Sequence, residues 1–394
     1  MRIGIAGPMT LELLKPYLPD SCPLPQGYPF PMTAILVGEL LQRGYEITAY
    51  TTSTDITETY TVSGPKLTLC VSPSRPRHRA KTLFREDVRG LVNSLQAHPC
   101  DVLHAHWTYE FAMAALASGL PSLITIHDWA WAILCQYKDA YRLVRWGINA
   151  YTTRRAPHLS TVSPYMWEHL PPSVRQKTHV IPNFVTDSLS DRSAPNAPRE
   201  DYIISVCNGF SRRKNLETAL LGFRQAQSSL KGVRYLLVGQ DCQPGGPAQR
   251  FCEANGCLEN VVFAGPVSYD RVLDMVGNAL AMLHPSYEES FGMSVLEAMA
   301  LGTPVIAGAQ SGNMPHLIQH GTTGFLCDVA EPASIGTALR TLRADDSLRR
   351  SIGIAARRHG KENYSASVVV GRYLDAYQEI LGGRSRALET CLCN

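Results

Sequence analysis

The chain has 394 residues, of which 45% are hydrophobic and 18% charged, a composition that excludes disordered, collagen-like and coiled-coil proteins. Its length indicates two or three domains at ~150 residues each. The net charge is only +3, from 37 Lys and Arg against 34 Asp and Glu, so overall charge does not indicate a nucleic-acid-binding protein. Because neither a signal peptide nor an apolar run of the ~18 residues that span a bilayer is recognisable, we expect a cytoplasmic protein.

Short β-branched segments alternate with amphipathic helical segments through the first half of the chain. Strands are predicted at 2–6, 45–51, 66–71, 101–105, 122–126 and 178–182, with helices at 32–43 and 81–97 among others. This alternation predicts βαβ units and a parallel sheet that is covered on both faces. Residues 186–200 are polar and contain proline, so they are predicted to form a linker.

The alternation restarts after the predicted linker. Strands are predicted at 201–207, 233–239, 260–265, 279–284, 303–308 and 323–327, and helices at 214–228, 268–277, 293–301, 331–343 and 346–381. We therefore expect an α/β protein with two doubly wound domains, at 1–185 and 201–365, followed by a C-terminal helix and tail at 366–394. Folds of this class bind ligands at the carboxyl ends of their strands, so a binding cleft is expected between the two domains.

The most informative segment is HPSYEESFGMSVLEAMALGTPVIAG, at 284–308, which reads as strand, loop, helix, turn and strand. Its helix is predicted to begin near Met293, where free N–H groups can bind a phosphate, and Gly292 stands where a side chain would block that approach. Glu289 in the loop and Glu297 in the helix can accept hydrogen bonds from the paired hydroxyls of a sugar or a ribose. Without further evidence, an equally good interpretation is that Glu289 is an acid near the helix N-cap and that Glu297 is a solvated helix residue.

This segment resembles the signature of the retaining GT-B-fold glycosyltransferases of family 4, P-S-x-x-E-x-F-G-x-x-x-x-E-A-M-A-x-G-x-P-V. The positions that match in register are Pro285, Ser286, Glu289, Phe291, Gly292, Glu297, Ala298, Met299, Ala300, Gly302, Pro304 and Val305. The resemblance implies two Rossmann-like domains that face each other across a cleft, and a nucleotide-sugar donor. It also implies that Glu289 contacts the donor sugar, that Glu297 contacts the nucleotide ribose, and that Ser290, Phe291 and Met293 belong to the donor site.

A second segment, VCNGFSRRKNLETALLGF at 206–223, is similar to the family's strand, glycine loop, Lys-Asn pair and helix. The resemblance implies that Lys214 neutralises the donor diphosphate, where a fixed cation stabilises the charge of the leaving group. In the family a Gly-Arg pair usually precedes this lysine. Here the loop reads CNGF at 207–210, so the arginine has no direct counterpart. We expect Arg212 to replace the missing arginine. Arg213 in that role, and two solvated loop arginines, are the alternatives.

In the first half, the segments DVLHAHW at 101–107 and PSLITIHD at 121–128 are similar to a pair of strands in the family. His127 stands at the C-terminal end of its strand, and the resemblance implies that it touches the donor sugar near the reaction centre. His104 and His106 share one strand face. A metal-binding pair is one interpretation, but the family's reaction needs no metal, so we expect neither metal nor cofactor and interpret both as packing residues.

The remaining donor-site positions implied by the resemblance are backbone contacts. Gly209 lies in the glycine loop, and Gly265 and Val267 fall where the family's backbone holds the nucleobase. The Gly-Gly pair that usually approaches the phosphates in the first βα loop corresponds to Gly27 and Tyr28, so only Gly27 is retained.

The segment 75–89 is basic, with six Lys and Arg against two acids, and Leu83, Phe84 and Val88 form an apolar strip beside the charges. A solvated helix face is the favoured interpretation. Peripheral contact of this segment with an anionic membrane, at the inner face of the cell membrane, is the alternative hypothesis.

We therefore expect a glycosyltransferase that moves a sugar from a nucleotide-diphosphate donor to a hydroxyl acceptor with retention, in the synthesis of a cell-surface polysaccharide or lipid-linked glycan. The partners are then the donor and a glycan or lipid-linked acceptor, with no nucleic acid. One alternative is an isomerase of the same fold, similar to nucleotide-sugar 2-epimerases. Another is a degenerate, non-catalytic subunit, which the missing arginine, Tyr28 and His316 (where the family has glutamate) favour.

Overall fold

The structure is a computed structural model that describes residues 1–75, 79, 81–192 and 199–382. The chain folds into two compact units. Unit 1 comprises Met1–Pro182 together with the chain from Val370 onward, and unit 2 comprises Asn183–Val369. Each unit has its own sheet and its own buried apolar core.

Unit 1 is built on an eight-stranded sheet in the order β3-β4-β2-β1-β5-β6-β7-β8. Its strands are Arg2–Ala6 (β1), Glu46–Ser53 (β2), Tyr60–Ser63 (β3), Leu67–Pro73 (β4), Val102–His106 (β5), Ser122–Ile126 (β6), His158–Thr161 (β7) and Thr178–Val180 (β8). All neighbours are parallel except β3 and β4, which are antiparallel. The central strands are buried along their whole length, as expected for strands covered on both faces. Strands β3 and β7, both short, are not predicted by the sequence pattern.

The helices of unit 1 follow these strands in turn. They are Pro31–Gln42 (α1), Arg85–Ala97 (α2), Glu110–Ser118 (α3), Ala130–Tyr137 (α4), Ala140–Arg155 (α5), Pro164–Glu168 (α6) and Pro172–Arg175 (α7). Proline occupies the first turn of α1, α6 and α7, where its missing N–H has no intrahelical partner to lose.

Unit 2 contains a six-stranded parallel sheet in the order β11-β10-β9-β12-β13-β14. Its strands are Glu200–Val206 (β9), Arg234–Val238 (β10), Val261–Gly265 (β11), Ala279–His284 (β12), Val305–Gly308 (β13) and Phe325–Cys327 (β14). Its helices are Leu216–Ala226 (α8), Pro247–Asn255 (α9), Tyr269–Asn278 (α10), Met293–Ala300 (α11), Met314–Leu317 (α12), Pro332–Ala344 (α13) and Asp346–Tyr364 (α14). Every strand predicted in this half is present, with ends displaced by at most two residues.

The predicted helix at 346–381 is two helices, because the chain is extended at Ser365 between α14 and α15, Ala366–Gly382. The backbone N–H of Val185 donates to the carbonyl of Tyr364 at 3.0 Å, and the N–H of Ala366 donates to the carbonyl of Val185 at 2.9 Å. This strand-like pairing interrupts the helix. Helical periodicity does not reveal it, since the partner lies far away in sequence.

Part of the predicted linker is structured. Asp187–Arg192 forms a short 3-10 helix, and its Leu189 is buried, although the sequence suggested little to bury here. Residues 193–198 of that linker lie outside the described residues, as do 76–78 and 80 of the basic segment and 383–394 of the predicted tail.

The apolar strip predicted in the basic segment is not an exposed surface. Phe84 is buried in a cluster with Tyr109 and Ile148, Val88 packs against that cluster, and only Leu83 is exposed. Phe84 and Val88 therefore stabilise the packing of α2 and offer no exposed apolar face, and membrane contact of the basic segment stays a prediction. Within the described part of the chain, no helix combines the length and the apolar character that a membrane crossing needs.

Candidate functional site

A cavity of about 570 Å³ opens in unit 2 at the carboxyl ends of the neighbouring strands β10, β9 and β12. The last residues of these strands, Val238, Val206 and His284, all line it. Doubly wound sheets bind their ligands at this edge. The predicted residues that line the same cavity are Lys214, Val267, Glu289, Gly292 and Met293. The structure therefore brings together three segments that the sequence analysis treated separately.

Two charged side chains form a partly buried ion pair in the cavity wall. Lys214 Nζ lies 2.6 Å from Glu289 Oε1, and each side chain is only 14% exposed. His284 Nε2 lies 3.4 Å from the same carboxylate oxygen. Burial alone would raise the pKa of Glu289, but its contacts with His284 and the charge of Lys214 outweigh that effect and hold this pKa well below its usual range. Glu289 is therefore an ionised hydrogen-bond acceptor at neutral pH.

His284, which also lines the cavity, is not among the predicted site residues. It is the last residue of β12 and stands directly before Pro285, at the start of the motif. The last residue of a parallel strand lies at the edge of the sheet where ligands bind. Its position at that edge could therefore have identified His284 as a candidate site residue.

The first turn of α11 supplies backbone donors to the cavity. Gly292 is the N-cap of this helix, and Met293 and Ser294 line the cavity beside it. The free N–H groups and the positive end of a helix favour an anion at this point. Gly292 has φ +97°, and a Cβ there would lie 2.4 Å from Cε of Met314. The positive φ therefore favours glycine at this position, whereas the close contact is with the flexible end of a methionine side chain that can move.

Glu297, the second predicted carboxylate, lies on α11 outside the set of cavity-lining residues. The hydroxyl of Tyr269 donates to its Oε1 at 2.7 Å. Burial raises the pKa of Glu297 to about 7, although the Tyr269 hydrogen bond acts in the opposite direction. Glu297 is therefore divided between its acid and carboxylate forms near neutral pH.

Two glycines of unit 2 that are predicted to belong to the donor site lie at or shortly after the end of a strand. Gly209 has φ +97°, and its N–H donates to the carbonyl of Gln240 at 3.2 Å. Gly265 has φ +65°, and its carbonyl accepts from the N–H of Gly239 at 2.9 Å. Arg212 is exposed and does not line the cavity, so its proposed replacement of the family arginine stays a prediction.

The loop that carries Glu289 is fixed by the turn that follows β13. The N–H of Asn313 donates to the carbonyl of Glu289 at 2.9 Å, and its side-chain amide donates to the carbonyl of Phe291 at 3.0 Å. Gly312 has φ +60°, and a Cβ there would lie 2.4 Å from the Glu289 carbonyl oxygen. Ser290 lies in the same loop, between these anchor points.

In unit 1, His127 follows β6 and lies beside the last residue of β5. Its Nε2 is 2.9 Å from Nδ1 of His106, and the two rings are stacked with centroids 5.1 Å apart. Phe30 and Trp107 present their rings edge-on to His127. His104 is fully buried, with Nδ1 2.7 Å from the Tyr377 hydroxyl on α15. Among the described residues, no group of three or more His, Cys, Asp or Glu is placed to hold a metal.

Gly27 and Tyr28 lie in the loop before α1. A Cβ at Gly27 would lie 2.3 Å from the carbonyl oxygen of Met9, so the loop's own packing requires this glycine. Tyr28 is half exposed and meets the ring of Trp107 edge-on, with centroids 6.0 Å apart. His316 lies exposed on α12.

Two protein-family models match consecutive parts of the chain. The model described as "Glycosyltransferase Family 4" matches residues 32–189, and the model described as "Glycosyl transferases group 1" matches residues 187–359. A similar curated protein is the N-acetyl-alpha-D-glucosaminyl L-malate synthase of Bacillus anthracis. It is 26% identical over 305 residues, which are 73% of this chain and 76% of that protein.

Solved structures of similar fold cover almost the whole chain. Sucrose-phosphate synthase from Thermosynechococcus elongatus superposes with a TM-score of 0.75 at 18% identity, over 98% of this chain and 100% of that one. HepE from Anabaena, solved in complex with UDP, superposes with a TM-score of 0.68 at 15% identity, over 95% and 99% of the two chains. These likenesses show a two-domain α/β fold of the GT-B class.

Proposed function

Because this chain belongs to the group 1 glycosyltransferases, we propose that it transfers a sugar from a nucleoside-diphosphate donor to a hydroxyl acceptor with retention of the anomeric configuration. The observation that carries the proposal is the cavity of unit 2, where Lys214, Glu289 and the first turn of α11 meet. A diphosphate needs a cation and N–H donors, and a sugar needs an acceptor for its hydroxyl groups. The cavity wall supplies all three.

The proposed reaction breaks the bond between the anomeric carbon and the diphosphate oxygen and forms a bond from that carbon to the acceptor oxygen. The departing phosphate oxygen takes the proton of the incoming hydroxyl on the same face of the sugar. Lys214 and the N-terminus of α11 stabilise the negative charge that develops on the diphosphate. Glu289 orients the sugar through its hydroxyl groups, and its ion pair with Lys214 holds both side chains in place before the donor binds.

We also propose the other donor contacts that the resemblance implies. Val267 and Gly265 contact the nucleobase, and Glu297 contacts the ribose. His127 contributes a hydrogen bond to the donor sugar rather than a positive charge, because burial lowers its pKa to about 3. The proposed acceptor is a growing cell-surface polysaccharide or a lipid-linked glycan.

The proposal is tested by incubating the protein with a panel of UDP-, GDP- and ADP-sugars and measuring thermal stabilisation together with released nucleoside diphosphate. A glycosyltransferase is stabilised by one donor and hydrolyses it slowly without acceptor. An epimerase converts the sugar to its epimer within the nucleotide sugar, and a non-catalytic subunit binds without turnover. The absence of both binding and diphosphate release across the panel would overturn the proposal.

Donor binding should strengthen as the pH rises through about 7, because the ribose contact needs the carboxylate form of Glu297, whose pKa is raised to about 7. The acid form predominates below that value, so the Kd of the nucleotide sugar, whose diphosphate does not titrate in this range, should fall several-fold between about pH 6 and pH 8 and then level off. Titration calorimetry measures this change. In the Glu297→Gln variant, whose side chain does not titrate, that pH dependence should disappear. A wild-type Kd that is constant across this range would contradict the assignment.

We also propose that contact with an anionic membrane, if the acceptor is lipid-linked, is made by α4 and α5 rather than by the strip at 83–88. Their exposed apolar side chains are Trp131, Tyr137, Leu143, Trp146 and Tyr151. Lys138, Arg154 and Arg155 are exposed on the same two helices or directly after α4. Aromatic rings flanked by cations match the interface of an anionic bilayer.

Co-sedimentation with vesicles tests this surface. The protein should pellet with vesicles that contain phosphatidylglycerol, and less with phosphatidylcholine alone or at high salt. Trp131→Ala should reduce the bound fraction several-fold, whereas Ile354→Ala, which removes an apolar side chain of nearly the same fractional exposure from unit 2, should not. Binding that is independent of anionic lipid, or equal in the two variants, would contradict the assignment.

A further inference from the structure

We propose that His106 is a positioning residue that donates a hydrogen bond from its Nδ1 to Nε2 of His127 and thereby fixes His127 in the tautomer with its proton on Nδ1. The inference deepens the proposed function, since it defines what His127 offers to a sugar. It follows from the arrangement of the histidines at the ends of β5 and β6.

Strand pairing brings the two rings together. His106 ends β5 opposite Thr125 of the parallel neighbour β6, and His127 follows two residues later. The N–H of Trp107 donates to the Thr125 carbonyl at 3.0 Å, which continues the ladder one residue past β5. Trp107 itself has φ +69°, an uncommon conformation for a residue with a side chain. The backbone is thus held so that His106 Nδ1 lies 2.9 Å from His127 Nε2.

Only one of two nitrogens at this distance carries the shared proton, since both rings are neutral. Burial lowers the pKa of His127 to about 3 and that of His106 well below its usual value, with His104 adding to the effect on His106. The rings that face this pair belong to His104, Phe30 and Trp107, none of which supplies a negative charge. An imidazolium is therefore not stabilised here, and each ring has a single N–H.

The buried edge of His106 decides which ring donates. Its Nε2 is shielded from solvent and has no hydrogen-bond partner within the described residues. A proton on this nitrogen would leave a buried donor unsatisfied, which is more costly than an unused lone pair on a ring nitrogen. The proton of His106 is therefore on Nδ1 and is donated to His127. His104 does not compete for it, since its Nδ1 and Nε2 contact the Tyr377 hydroxyl and Thr125 Oγ1.

The consequence for chemistry is specific. Nε2 of His127 accepts from His106, so Nδ1 is the ring nitrogen that is left for a substrate, and it presents an N–H. His127 then donates to a sugar oxygen and does not act as a general base through that nitrogen. A histidine in the opposite tautomer would offer a lone pair at the same position and would repel an oxygen acceptor.

The test is to read the tautomer of His127 directly by NMR of the full chain labelled with 15N histidine, where ring-nitrogen shifts and proton couplings distinguish the two forms. His106→Asn retains a donor N–H near the position of Nδ1, and His106→Leu retains comparable volume without a donor. The wild type and His106→Asn should show the His127 proton on Nδ1, and His106→Leu should shift it towards Nε2. A wild-type proton on Nε2, or an unchanged His127 tautomer in His106→Leu, would overturn the inference.

Turnover of whichever nucleotide sugar the panel identifies gives a second measure. Diphosphate release by His106→Leu should fall at least tenfold in kcat with little change in KM for the donor, and His106→Asn should restore most of it. Equal rates in the wild type and His106→Leu would count against the positioning role. If no nucleotide sugar is turned over, the proposed function fails, whereas the wild-type spectrum still decides the tautomer. That spectrum also remains decisive if His106→Leu does not fold.

Discussion

Replacing Lys214 by methionine should lower the free energy of unfolding by about 3 kcal/mol and reduce diphosphate release by about 100-fold. The substitution leaves Glu289 buried without its ammonium partner, and an uncompensated buried carboxylate is strongly destabilising. It also removes the cation proposed to stabilise the leaving diphosphate. Urea unfolding measures the first effect, and release of nucleoside diphosphate from the identified donor measures the second.

The double variant Lys214→Met with Glu289→Gln separates the two effects. Because the glutamine carries no charge, most of the lost stability should return, while activity should stay as low as in Lys214→Met. A double-mutant cycle in which the two stability losses simply add would show that the ion pair contributes nothing. Unchanged turnover in Lys214→Met would remove this residue from the proposed mechanism.

Replacing Gly312 by alanine should destabilise the protein and inactivate it, although Gly312 carries no side chain that could touch a donor. Its φ of +60° costs about 1 kcal/mol for any residue with a Cβ. The new Cβ would lie 2.4 Å from the carbonyl oxygen and 2.9 Å from the backbone nitrogen of Glu289, so the loop that positions this carboxylate must move. We expect a further loss of about 2 kcal/mol from this overpacking.

Gly321 provides the matched control. Its φ is +75°, and a Cβ there would meet nothing within 4 Å in the described part of the chain. Gly321→Ala should therefore lose only the free energy of unfolding that a residue with a Cβ loses at positive φ, and it should keep full donor turnover. Comparing the two variants by urea unfolding and diphosphate release isolates the effect of displacing Glu289. Equal activity of Gly312→Ala and Gly321→Ala would mean that the position of the Glu289 loop does not matter for catalysis.

Two of the predicted donor-site residues, Lys214 and Glu289, meet in the cavity wall of unit 2, and their contact with a donor stays a prediction. Lys214 and Glu289 are far apart in the chain, and each was recognised from a local motif. Their meeting at 2.6 Å follows from the parallel sheet, which places strand ends at one edge. His284 was missed although it ends a parallel strand, which is the same signal that drew attention to His127. Its importance is visible only once Glu289 is found 3.4 Å away.

The misjudged features share one physical cause, which is packing between segments distant in sequence. The pattern at 346–381 is helical throughout, but pairing with Val185 extends the chain at Ser365. The sequence favours a solvated helix face for the strip around Phe84, with membrane contact as the alternative, because its buried partners, Tyr109 and Ile148, come later in the chain. Hydrophobic periodicity identifies an apolar face without revealing what covers it.

Calorimetric titration of UDP, GDP and ADP tests most directly the claim that the cavity of unit 2 binds the nucleotide of a sugar donor. Val267 lines this cavity, whereas Val262 on β11 has almost the same exposure and does not line it. We expect one of the three nucleotides to bind the wild type, Val267→Trp to weaken its binding at least tenfold, and Val262→Trp to leave it unchanged. Failure of all three nucleotides to bind, or equal affinity in the two tryptophan variants, would contradict that claim.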